Sequence, residues 1–552
     1  MSALPRFASG VRRRNVPSTD LWVDVLPHES IAPITGNHYG HFIEHLGGVI
    51  YDGIWVGERS KIPNIGGIRK SLVDDLRVLT PGVIRWPGGC FADSYDWKDG
   101  IGPRPKRPSR LNYWSSALPN SVTGPARYED NQFGTPEFMQ LCKMVGAQPY
   151  LAVNARSATA LDFAQWVEYC NAPRGTTTLA KQREADGVPE PYNVRYWGIG
   201  NEPWGCGGRL RPEEYAEEYR RFSAWVPWFP PKSELPRDQE AVMPRLIAGG
   251  PEGTDYEWTQ KFLAVMDRSH VRLPYGLSIH DYFDHDDDVF SFNASGWYTM
   301  LLQPQLFADI LQRHAAAVDQ GVKAVNWPRP VTLILDEWGP CYHSTGLGDP
   351  SHLLEQVPTM RDALLSSLMF DLFHAHADVL SMTTVAQSVN CLQSLFLTSG
   401  EKYTKTPVYH AFALYQPHIG GTSVRTVASS DRISYADEKD PHVTRAIDGV
   451  SASATRHTSA DGAGHIVVTV TNPRMDQPAS ATVSLRGVTI ASGEVTQLAH
   501  GDPHAHNTFE APETVRLSET KPLALSSSTP SGMFTLTLPP ASITRIICKL
   551  GR

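Results

Sequence analysis

The sequence lacks an excess of basic residues. Its 552 residues carry 50 Lys and Arg against 58 Asp and Glu, which gives a formal net charge of −8. Because nucleic acids and anionic membranes are bound by basic surfaces, this balance argues against both as partners and is compatible with a neutral substrate. No apolar run reaches membrane-spanning length. No apolar segment follows Arg12-Arg13-Arg14 either, so we expect no signal peptide.

Cysteine is sparse and irregularly placed. The seven cysteines are Cys90, Cys142, Cys170, Cys206, Cys341, Cys391 and Cys548. Their number is odd, their spacing is wide and no CxxC pair occurs. This pattern indicates reduced thiols in a cytosolic protein, and it argues against a disulfide framework or a zinc site. We therefore expect a cytoplasmic location.

Several catalytic motifs are also missing. The chain has no HExxH zinc motif, no Gly-rich phosphate loop followed by Lys, and no strand-end Lys suited to a Schiff base. The run Asp284-His285-Asp286-Asp287-Asp288 lacks the spacing of an EF-hand calcium loop and its Gly and Glu. It indicates a solvated loop, and we expect neither a metal nor a cofactor.

The chain does contain a regular alternation of strand-like and helical segments. The strand-like segments are 36–45, 82–90, 148–154, 196–202, 246–251, 277–282, 331–337 and 379–387. The helical patterns between and after them are 68–79, 135–145, 158–170, 212–225, 256–266, 303–322 and 353–374. Eight strands alternating with helices predict an α/β fold, a (β/α)8 TIM barrel over residues 36–400.

The remaining sequence divides into three parts. Residues 1–19 are rich in Pro, Arg and Ser, and we expect a poorly ordered tail there. Residues 20–35 contain a β-like run that we expect to join a second domain. After residue 400 most segments alternate apolar and polar residues between Gly, Pro, Asp and Ser turns. This pattern predicts a C-terminal antiparallel β-sandwich over 401–552.

Polar side chains gather at the predicted strand ends, where the active site of a TIM barrel lies. They are Glu44, Arg85, Asn154, Asn201, Glu202, His280, Tyr282, Glu337, Trp338 and Gln387. A carboxylate at the end of an apolar strand is unfavourable unless it is hydrogen-bonded or functional. Two Glu among many hydroxyl-binding groups indicate a glycosidase, in which a neutral Glu protonates the leaving oxygen and an ionised Glu attacks the anomeric carbon.

The segments Gly200-Asn201-Glu202 and Asp336-Glu337-Trp338 resemble the signature of clan A retaining glycosidases. GHFIEH at 40–45, RWPGG at 85–89, SIHDY at 278–282 and AQSVN at 386–390 extend the resemblance to glycoside hydrolase family 51, the α-L-arabinofuranosidases. The similarity covers about residues 36–417. Members of this family combine a catalytic barrel with a C-terminal β-sandwich, which agrees with the architecture predicted from the segments.

The resemblance implies Glu202 as the acid/base and Glu337 as the nucleophile. Asn201 would hold the sugar hydroxyl next to the reacting carbon, and Tyr282 would hydrogen-bond Glu337 and keep it ionised. Strand alternation predicts that Asp336 turns away from the site. The full set of predicted substrate-binding residues is Glu44, Arg85, Cys90, Asn201, His280, Tyr282, Trp338 and Gln387.

Structural roles stay open for four of these residues. Arg85 could be a partner of Glu44, whereas Cys90, His280 and Trp338 could be core residues. The sequence also departs from the family pattern, because PWGCGG follows Asn201-Glu202 where many members have Met-Asp-Gly, and Cys90 stands where many have Asn. These departures concern the outer pocket and the leaving-group side.

We therefore expect a retaining, exo-acting α-L-arabinofuranosidase that releases arabinofuranosyl residues from plant cell-wall arabinoxylan or arabinan fragments. Two alternatives stay open. One is a β-1,4-glucanase or xylosidase of the same family, and the other is a carbohydrate-binding protein that has lost catalysis. Relatives are often oligomers, which leaves a homo-oligomer open.

Overall fold

The structure is a computed structural model that describes residues 20–113, 128–229, 243–266, 272–286, 288–342, 353–458, 464–525 and 531–551. The predicted tail, residues 1–19, lies outside these ranges. Within them, no helix combines the length and the apolar character that crossing a membrane requires.

Eight parallel strands close into a barrel in chain order, which confirms the predicted (β/α)8 fold. Their bounds are Gly40–Phe42, Val83–Trp86, Gln148–Val153, Tyr196–Ile199, Arg245–Ala248, Gly276–His285, Thr332–Tyr342 and Leu380–Ala386. Each overlaps the corresponding predicted segment. The sixth and seventh strands continue past their predicted ends and remain paired as far as His285 and Tyr342.

The helices of the barrel region follow its strands. Their bounds are Lys70–Leu79, Thr135–Val145, Ala160–Asn171, Thr178–Ala185, Pro212–Ser223, Tyr256–Val265, Ala294–Ala324 and Met360–Ala375. The sequence patterns miss Thr178–Ala185, because Ala180 and Arg183 are its only buried residues and no apolar stripe marks it.

Two of these helices begin at places that the apolar pattern does not show. The last one begins at Met360 and not at 353, since Pro358 disfavours helical backbone before it and the Thr359 side chain caps its first turn. The helix before it starts at Ala294, where Asn293 accepts hydrogen bonds from the first turn. The N-terminal caps, and not the apolar pattern, therefore determine where both helices begin.

Nine strands form a second sheet. Along the sheet they are Lys521–Pro522, Ile490–Ala499, Ser542–Leu550, Gly464–Asn472, Ser451–Thr458, Thr422–Ser429, Asp20–Pro33, Ala479–Leu485 and Met533–Leu538. All neighbours pair antiparallel except Asp20–Pro33 with Ala479–Leu485. The strands Met533–Leu538 and Ser542–Leu550 stand six positions apart in this sheet but are joined by only three residues, so the sheet curves over itself. This is the predicted C-terminal antiparallel β domain, and the run at 20–35 supplies one of its inner strands.

The helix Met360–Ala375 connects the barrel to this sheet. Its residues from Met360 to His374 are all buried. Asp371 on this helix accepts hydrogen bonds from the hydroxyls of Ser451 and Ser453 in the sheet. The eighth barrel strand follows this helix directly, so the second domain supports one side of the barrel.

Candidate active site

Glu202 and Glu337 meet at the carboxyl-terminal mouth of the barrel. One carboxylate oxygen of each lies with a ring nitrogen of His280 in a group whose atoms are all within 4.8 Å of one another. His280 Nδ1 is 2.9 Å from Glu202 Oε1 and 3.6 Å from Glu337 Oε2. The imidazole therefore bridges the two predicted catalytic acids.

Glu337 is held by donors from two other strands. Arg85 Nη1 donates to its Oε1 at 2.7 Å, and the Tyr282 hydroxyl donates to its Oε2 at 2.7 Å. Glu337 is only 6% exposed. These two hydrogen bonds offset the cost of removing the carboxyl group of Glu337 from water.

Arg85 is the buried cation at the centre of the site. Besides Glu337, its guanidinium donates to Asn201 Oδ1 at 2.7 Å, faces Asp336 Oδ2 at 3.4 Å and lies 4.5 Å from the centre of the Phe42 ring. Burial opposes the charge, but Asp336 and Glu337 raise the pKa of Arg85 above its ordinary value. Arg85 therefore stays charged and fixes both Asn201 and Glu337.

Asp336 does not turn away from the site, so that prediction is wrong. Strand pairing runs from Ile279 opposite Leu335 directly to His280 opposite Glu337, which leaves Asp336 as an extra residue in the seventh strand. Such a β-bulge re-aims the side chains around it. Both acidic residues consequently reach the barrel interior.

The contacts of Asp336 explain its place below the site. It accepts hydrogen bonds from the hydroxyls of Tyr150 and Ser278, and its Oδ1 lies 3.2 Å from His280 Nε2. Burial acts against its charge, but Arg85 and His280 hold the pKa of Asp336 well below its usual range. Asp336 is a buried anion that orients the two cations of the site.

His280 is the second cation. Burial works to lower its pKa, but the charge of Glu337, the charge and hydrogen bond of Asp336 and the hydrogen bond to Glu202 outweigh this effect and raise it to about 10. An imidazolium held between Glu202, Asp336 and Glu337 can donate from both ring nitrogens. It therefore orients Glu202 towards the space that it shares with Glu337.

This raised pKa predicts a pH-dependent contribution to stability. The charge on His280 stabilises the fold fully below pH 6.5, its ordinary pKa, and this stabilisation is lost as the pH rises through about 10. We expect wild-type protein to exceed His280→Gln in unfolding free energy by up to about 5 kcal/mol near pH 6, and by progressively less towards pH 10. Denaturant unfolding at several pH values measures this difference.

The control for this prediction is His442→Gln, which changes an exposed histidine outside the barrel. Its unfolding free energy should follow that of the wild type across the same range. A constant difference between wild type and His280→Gln from pH 6 to pH 10 would contradict the charged state that we assign to His280.

Glu44 and Gln387 form a buried pair beside the acids. Glu44 N donates to Gln387 Oε1 at 2.9 Å, and Gln387 Nε2 donates to Glu44 Oε2 at 3.2 Å. The backbone N–H groups of Gly89 and Phe91 donate to Glu44 Oε1. Burial first, and then the charge of Glu337, raise the pKa of Glu44 to about 7. Near neutral pH this carboxyl group can both donate to and accept from a sugar hydroxyl.

Asp93 supports the Asn201-Glu202 segment, and the sequence patterns did not indicate it. Its carboxylate accepts from the backbone N–H of Asn201 at 3.3 Å and of Ala155 at 3.1 Å. Burial raises the pKa of Asp93 to about 7. Asp93 belongs to no strand-end motif, so only the folded loop reveals its role. It helps to hold Glu202, whose φ of +39° lies in the left-handed region.

The prediction that all seven cysteines are reduced is wrong, because Cys90 and Cys206 form a disulfide. The other five, Cys142, Cys170, Cys341, Cys391 and Cys548, are not disulfide-bonded. The pair is separated by 116 residues, and the barrel brings it together because the second and fourth strands end at the same rim with only the third strand between them. Cys206 Sγ is 3.5 Å and Cys90 Sγ 3.9 Å from Glu202 Oε2. Cys90 therefore enters the site as half of a disulfide beside the acid/base.

Trp338 does not reach the pocket, so its assignment to substrate binding is wrong. It is fully buried and packs edge-on against Phe373 and Phe370 of the helix Met360–Ala375, with ring centroids 5.4 and 5.9 Å away. Successive side chains of a strand point to opposite faces, and Glu337 points inwards. Trp338 is a core residue between the barrel and its last helix.

Two family models match the chain. The alpha-L-arabinofuranosidase 1 domain matches residues 75–227, and the alpha-L-arabinofuranosidase C-terminal domain matches residues 336–542. These ranges contain most of the strands that carry the site. Glu202 lies in the first range and Glu337 in the second.

The chain also matches whole proteins and solved structures. It is 35% identical over 498 residues to the intracellular exo-alpha-L-arabinofuranosidase of Bacteroides ovatus, which covers 89% of each chain. It is 30% identical over 516 residues to alpha-L-arabinofuranosidase C of Emericella nidulans, covering 90% of this chain and 93% of that protein. The crystal structure of the GH51 arabinofuranosidase from Xanthomonas axonopodis pv. citri matches with a TM-score of 0.82 and 32% identity, over 96% of this chain and 99% of that one. The chain is thus a glycoside hydrolase and belongs to family 51, the α-L-arabinofuranosidases.

Proposed function

We propose that this protein is a retaining α-L-arabinofuranosidase in which Glu337 is the nucleophile and Glu202 the acid/base. The observation that carries the proposal is the spacing of the two acids, whose carboxylate oxygens lie within 4.8 Å. Retaining glycosidases place these groups about 5–5.5 Å apart, whereas inverting enzymes leave about 6.5–9.5 Å for a water molecule. The separation of Glu202 and Glu337 falls on the retaining side of this comparison, so the site suits double displacement.

The different surroundings of the two acids support their roles. Glu337 receives Arg85 and Tyr282 as donors on its two oxygens. Oε2 of Glu202 instead faces the two disulfide sulfurs, which carry no hydrogen to donate. Glu337 thus has the setting of an anion that attacks carbon, and Glu202 has an oxygen that can carry the catalytic proton.

The reaction then proceeds in two displacements. Glu202 donates its proton to the glycosidic oxygen while Glu337 attacks the anomeric carbon, which forms a glycosyl-enzyme ester and releases the alcohol. As the ester bond forms, Glu337 loses its negative charge. Asp336 continues to balance the positive charge of Arg85. Glu202, now ionised, takes a proton from water, and the water's oxygen replaces Glu337 at the same carbon. Two inversions retain the configuration.

The polar residues around the acids support a small, terminal sugar as the substrate. Glu44, Arg85, Asn201 and Gln387 are each at most 4% exposed and converge beside Glu337. A pocket walled by buried hydrogen-bonding groups suits one furanose unit at a chain end, so we propose exo-action on arabinoxylan or arabinan fragments of plant cell walls. A homo-oligomer and the absence of nucleic-acid, membrane, metal and cofactor partners stay predictions.

We also propose a cytoplasmic location, which is supported by the comparison with a relative. The relative from Bacteroides ovatus is named as intracellular. A cytoplasmic enzyme would act on fragments short enough to be imported, which agrees with exo-action. The Cys90–Cys206 disulfide is unusual for a cytoplasmic protein, because cytosolic disulfides are usually transient and involved in redox chemistry.

A panel of substrates tests the proposed activity. We expect an aryl α-L-arabinofuranoside to be hydrolysed much faster than the matching xyloside or cellobioside, and arabino-oligosaccharides to lose single arabinose units from the non-reducing end. Preferred cleavage of the xyloside or cellobioside would identify one of the alternative activities of the family. Release of longer oligosaccharides from the polymer would contradict exo-action.

Gly89, in the loop after the second barrel strand, gives a prediction about activity. A Cβ at Gly89 would lie 2.7 Å from Glu337 Oε1 and 3.4 Å from Asn201 Nδ2. Gly89→Ala should therefore displace the nucleophile and lower kcat by about 100-fold, because small misplacements of reacting groups have effects of this size. Steady-state kinetics with a nitrophenyl arabinofuranoside measures the loss.

The matched control is Gly501→Ala, since Gly501 is exposed and no described atom comes within 4 Å of a Cβ there. It should keep full activity. A fully active Gly89→Ala enzyme would show that Glu337 does not need the position that the structure gives it.

A further inference from the structure

We propose that the Cys90–Cys206 disulfide is a redox-modification site that controls the acid/base. In the oxidised state it holds Glu202 for proton transfer. Its reduction to two thiols withdraws proton transfer from Glu202 while leaving the nucleophile Glu337 in place. This inference rests on the proposed roles of the two glutamates.

The disulfide ties down the loop that carries Glu202. Cys206 lies four residues after it, and the N–H groups of Gly205 and Gly207 donate to the Glu202 carbonyl at 2.8 and 3.0 Å. The loop is thus curled tightly on Glu202 itself. With a φ of +39°, Glu202 holds a backbone conformation that is unfavourable for a residue with a side chain and persists only when its surroundings enforce it. The bond from Cys206 to Cys90 is one of those constraints.

Other contacts keep the rest of the site in place when the bond opens. Arg156 Nη1 donates to the Cys206 carbonyl at 2.8 Å, so the loop stays attached. Glu337 is held by Arg85 and Tyr282, which come from the second and sixth strands and do not depend on the disulfide. Reduction should therefore disturb Glu202 and spare Glu337.

The chemistry of reduction acts directly on Glu202. A dithiol transfers two electrons and two protons to the disulfide, so the sulfur–sulfur bond breaks, two thiols form and the dithiol becomes a disulfide. The two sulfurs, no longer bonded, move apart. Each gains a hydrogen, and the thiol of Cys206 can donate to Glu202 Oε2, which lies 3.5 Å away. This hydrogen bond would engage the oxygen that must deliver the proton to the substrate.

The disulfide is accessible to a reductant. Cys90 and Cys206 are both partly exposed in the pocket wall, whereas Cys142, Cys170, Cys391 and Cys548 are buried. Cys341 is the one other partly exposed cysteine. A thiol reagent applied to the folded enzyme therefore reports on these three residues, and Cys341→Ser removes the background.

The experiment compares two substrates before and after treatment with dithiothreitol. A nitrophenyl α-L-arabinofuranoside has a leaving group that needs no proton, whereas methyl α-L-arabinofuranoside needs one. kcat/KM reports the steps up to formation of the glycosyl-enzyme, in which Glu202 acts as the acid. We expect reduction to lower kcat/KM for the methyl glycoside by about 100-fold, and for the nitrophenyl glycoside by less than about threefold.

Two variants complete the test. Cys90→Ser/Cys206→Ser should reproduce the reduced enzyme and be unaffected by dithiothreitol, and Cys341→Ser should respond as the wild type does. Thermal unfolding is recorded alongside, since a link across 116 residues also stabilises the fold. Reoxidation should restore the methyl glycosidase activity.

Two outcomes would overturn the inference. One is an equal loss on both substrates, which a general loss of structure would produce. The other is no loss on either substrate although thiol titration shows that the pair is reduced. An untreated enzyme that hydrolyses neither arabinofuranoside would instead refute the proposed function.

Discussion

Replacing Glu337 with alanine should abolish turnover of every glycoside, because no group remains to attack the anomeric carbon. The expected loss in kcat is roughly 10⁴-fold or more, as for the loss of a nucleophile in other enzymes that work through a covalent intermediate. Steady-state kinetics with a nitrophenyl α-L-arabinofuranoside measures it. With azide in the vacated space, direct displacement of the leaving group should give the β-azide.

Stability must be checked separately for this variant. Glu337→Ala leaves the buried Arg85 with one partner fewer, and breaking a buried ion pair destabilises by about 3–5 kcal/mol. Glu337→Gln keeps the size of the side chain and should be equally inactive. Glu257→Ala, which removes an exposed glutamate paired with Lys261, is the matched control and should be fully active. Activity of the Glu337 variants within about tenfold of the wild type would remove Glu337 from the nucleophile's role.

Replacing Glu202 with alanine should separate the two chemical steps. An activated aryl leaving group needs no proton, so the glycosyl-enzyme should still form and then stall, because no base activates water. For substrates with poor leaving groups the loss should be about 10²–10⁴-fold. Azide needs no base and should restore turnover of the aryl substrate. Two displacements then give the α-azide.

The configuration of the azide products decides between the two acids. The β-azide from Glu202→Ala together with the α-azide from Glu337→Ala would mean that their roles are exchanged. Proton NMR of the isolated azides distinguishes the two anomers. A Glu202→Ala enzyme that azide does not rescue would argue against any role of Glu202 as a base.

The fold could be predicted because its signals are local and repeated. Each barrel strand is an apolar segment of roughly the length that crosses a barrel, and the polar residues after it mark one edge. The second domain follows from alternation with a period of two. The strand Asp20–Pro33 pairs with Thr422–Ser429 and Ala479–Leu485, about 400 residues later in sequence, and its β-like pattern was sufficient to place it in that sheet.

The site could be predicted only in part, because some of its geometry depends on breaks in regularity. Alternation places Trp338 correctly on the outside once Glu337 is known to point inwards. The same rule fails for Asp336, since the bulge before Glu337 leaves no mark in the sequence. An extra residue of this kind is determined by the pairing of the sixth and seventh strands.

The remaining errors come from contacts between distant segments. The Cys90–Cys206 bond joins two strand-end loops, and neither spacing nor cysteine count predicts it. Cys206 could have been noticed, because it stands in the segment that departs from the family pattern next to Glu202. Asp93 supports Asn201 through a backbone N–H, a contact that requires no particular residue at the other end.

Trapping the intermediate is the measurement that tests the proposed mechanism most directly. Glu202→Ala is mixed briefly with an activated aryl α-L-arabinofuranoside, stopped with acid, digested and analysed by mass spectrometry. We expect one pentosyl group per protein, attached to the peptide that contains Glu337. A pentosyl group on another residue, or a stalled enzyme that carries none, would contradict a double displacement through Glu337.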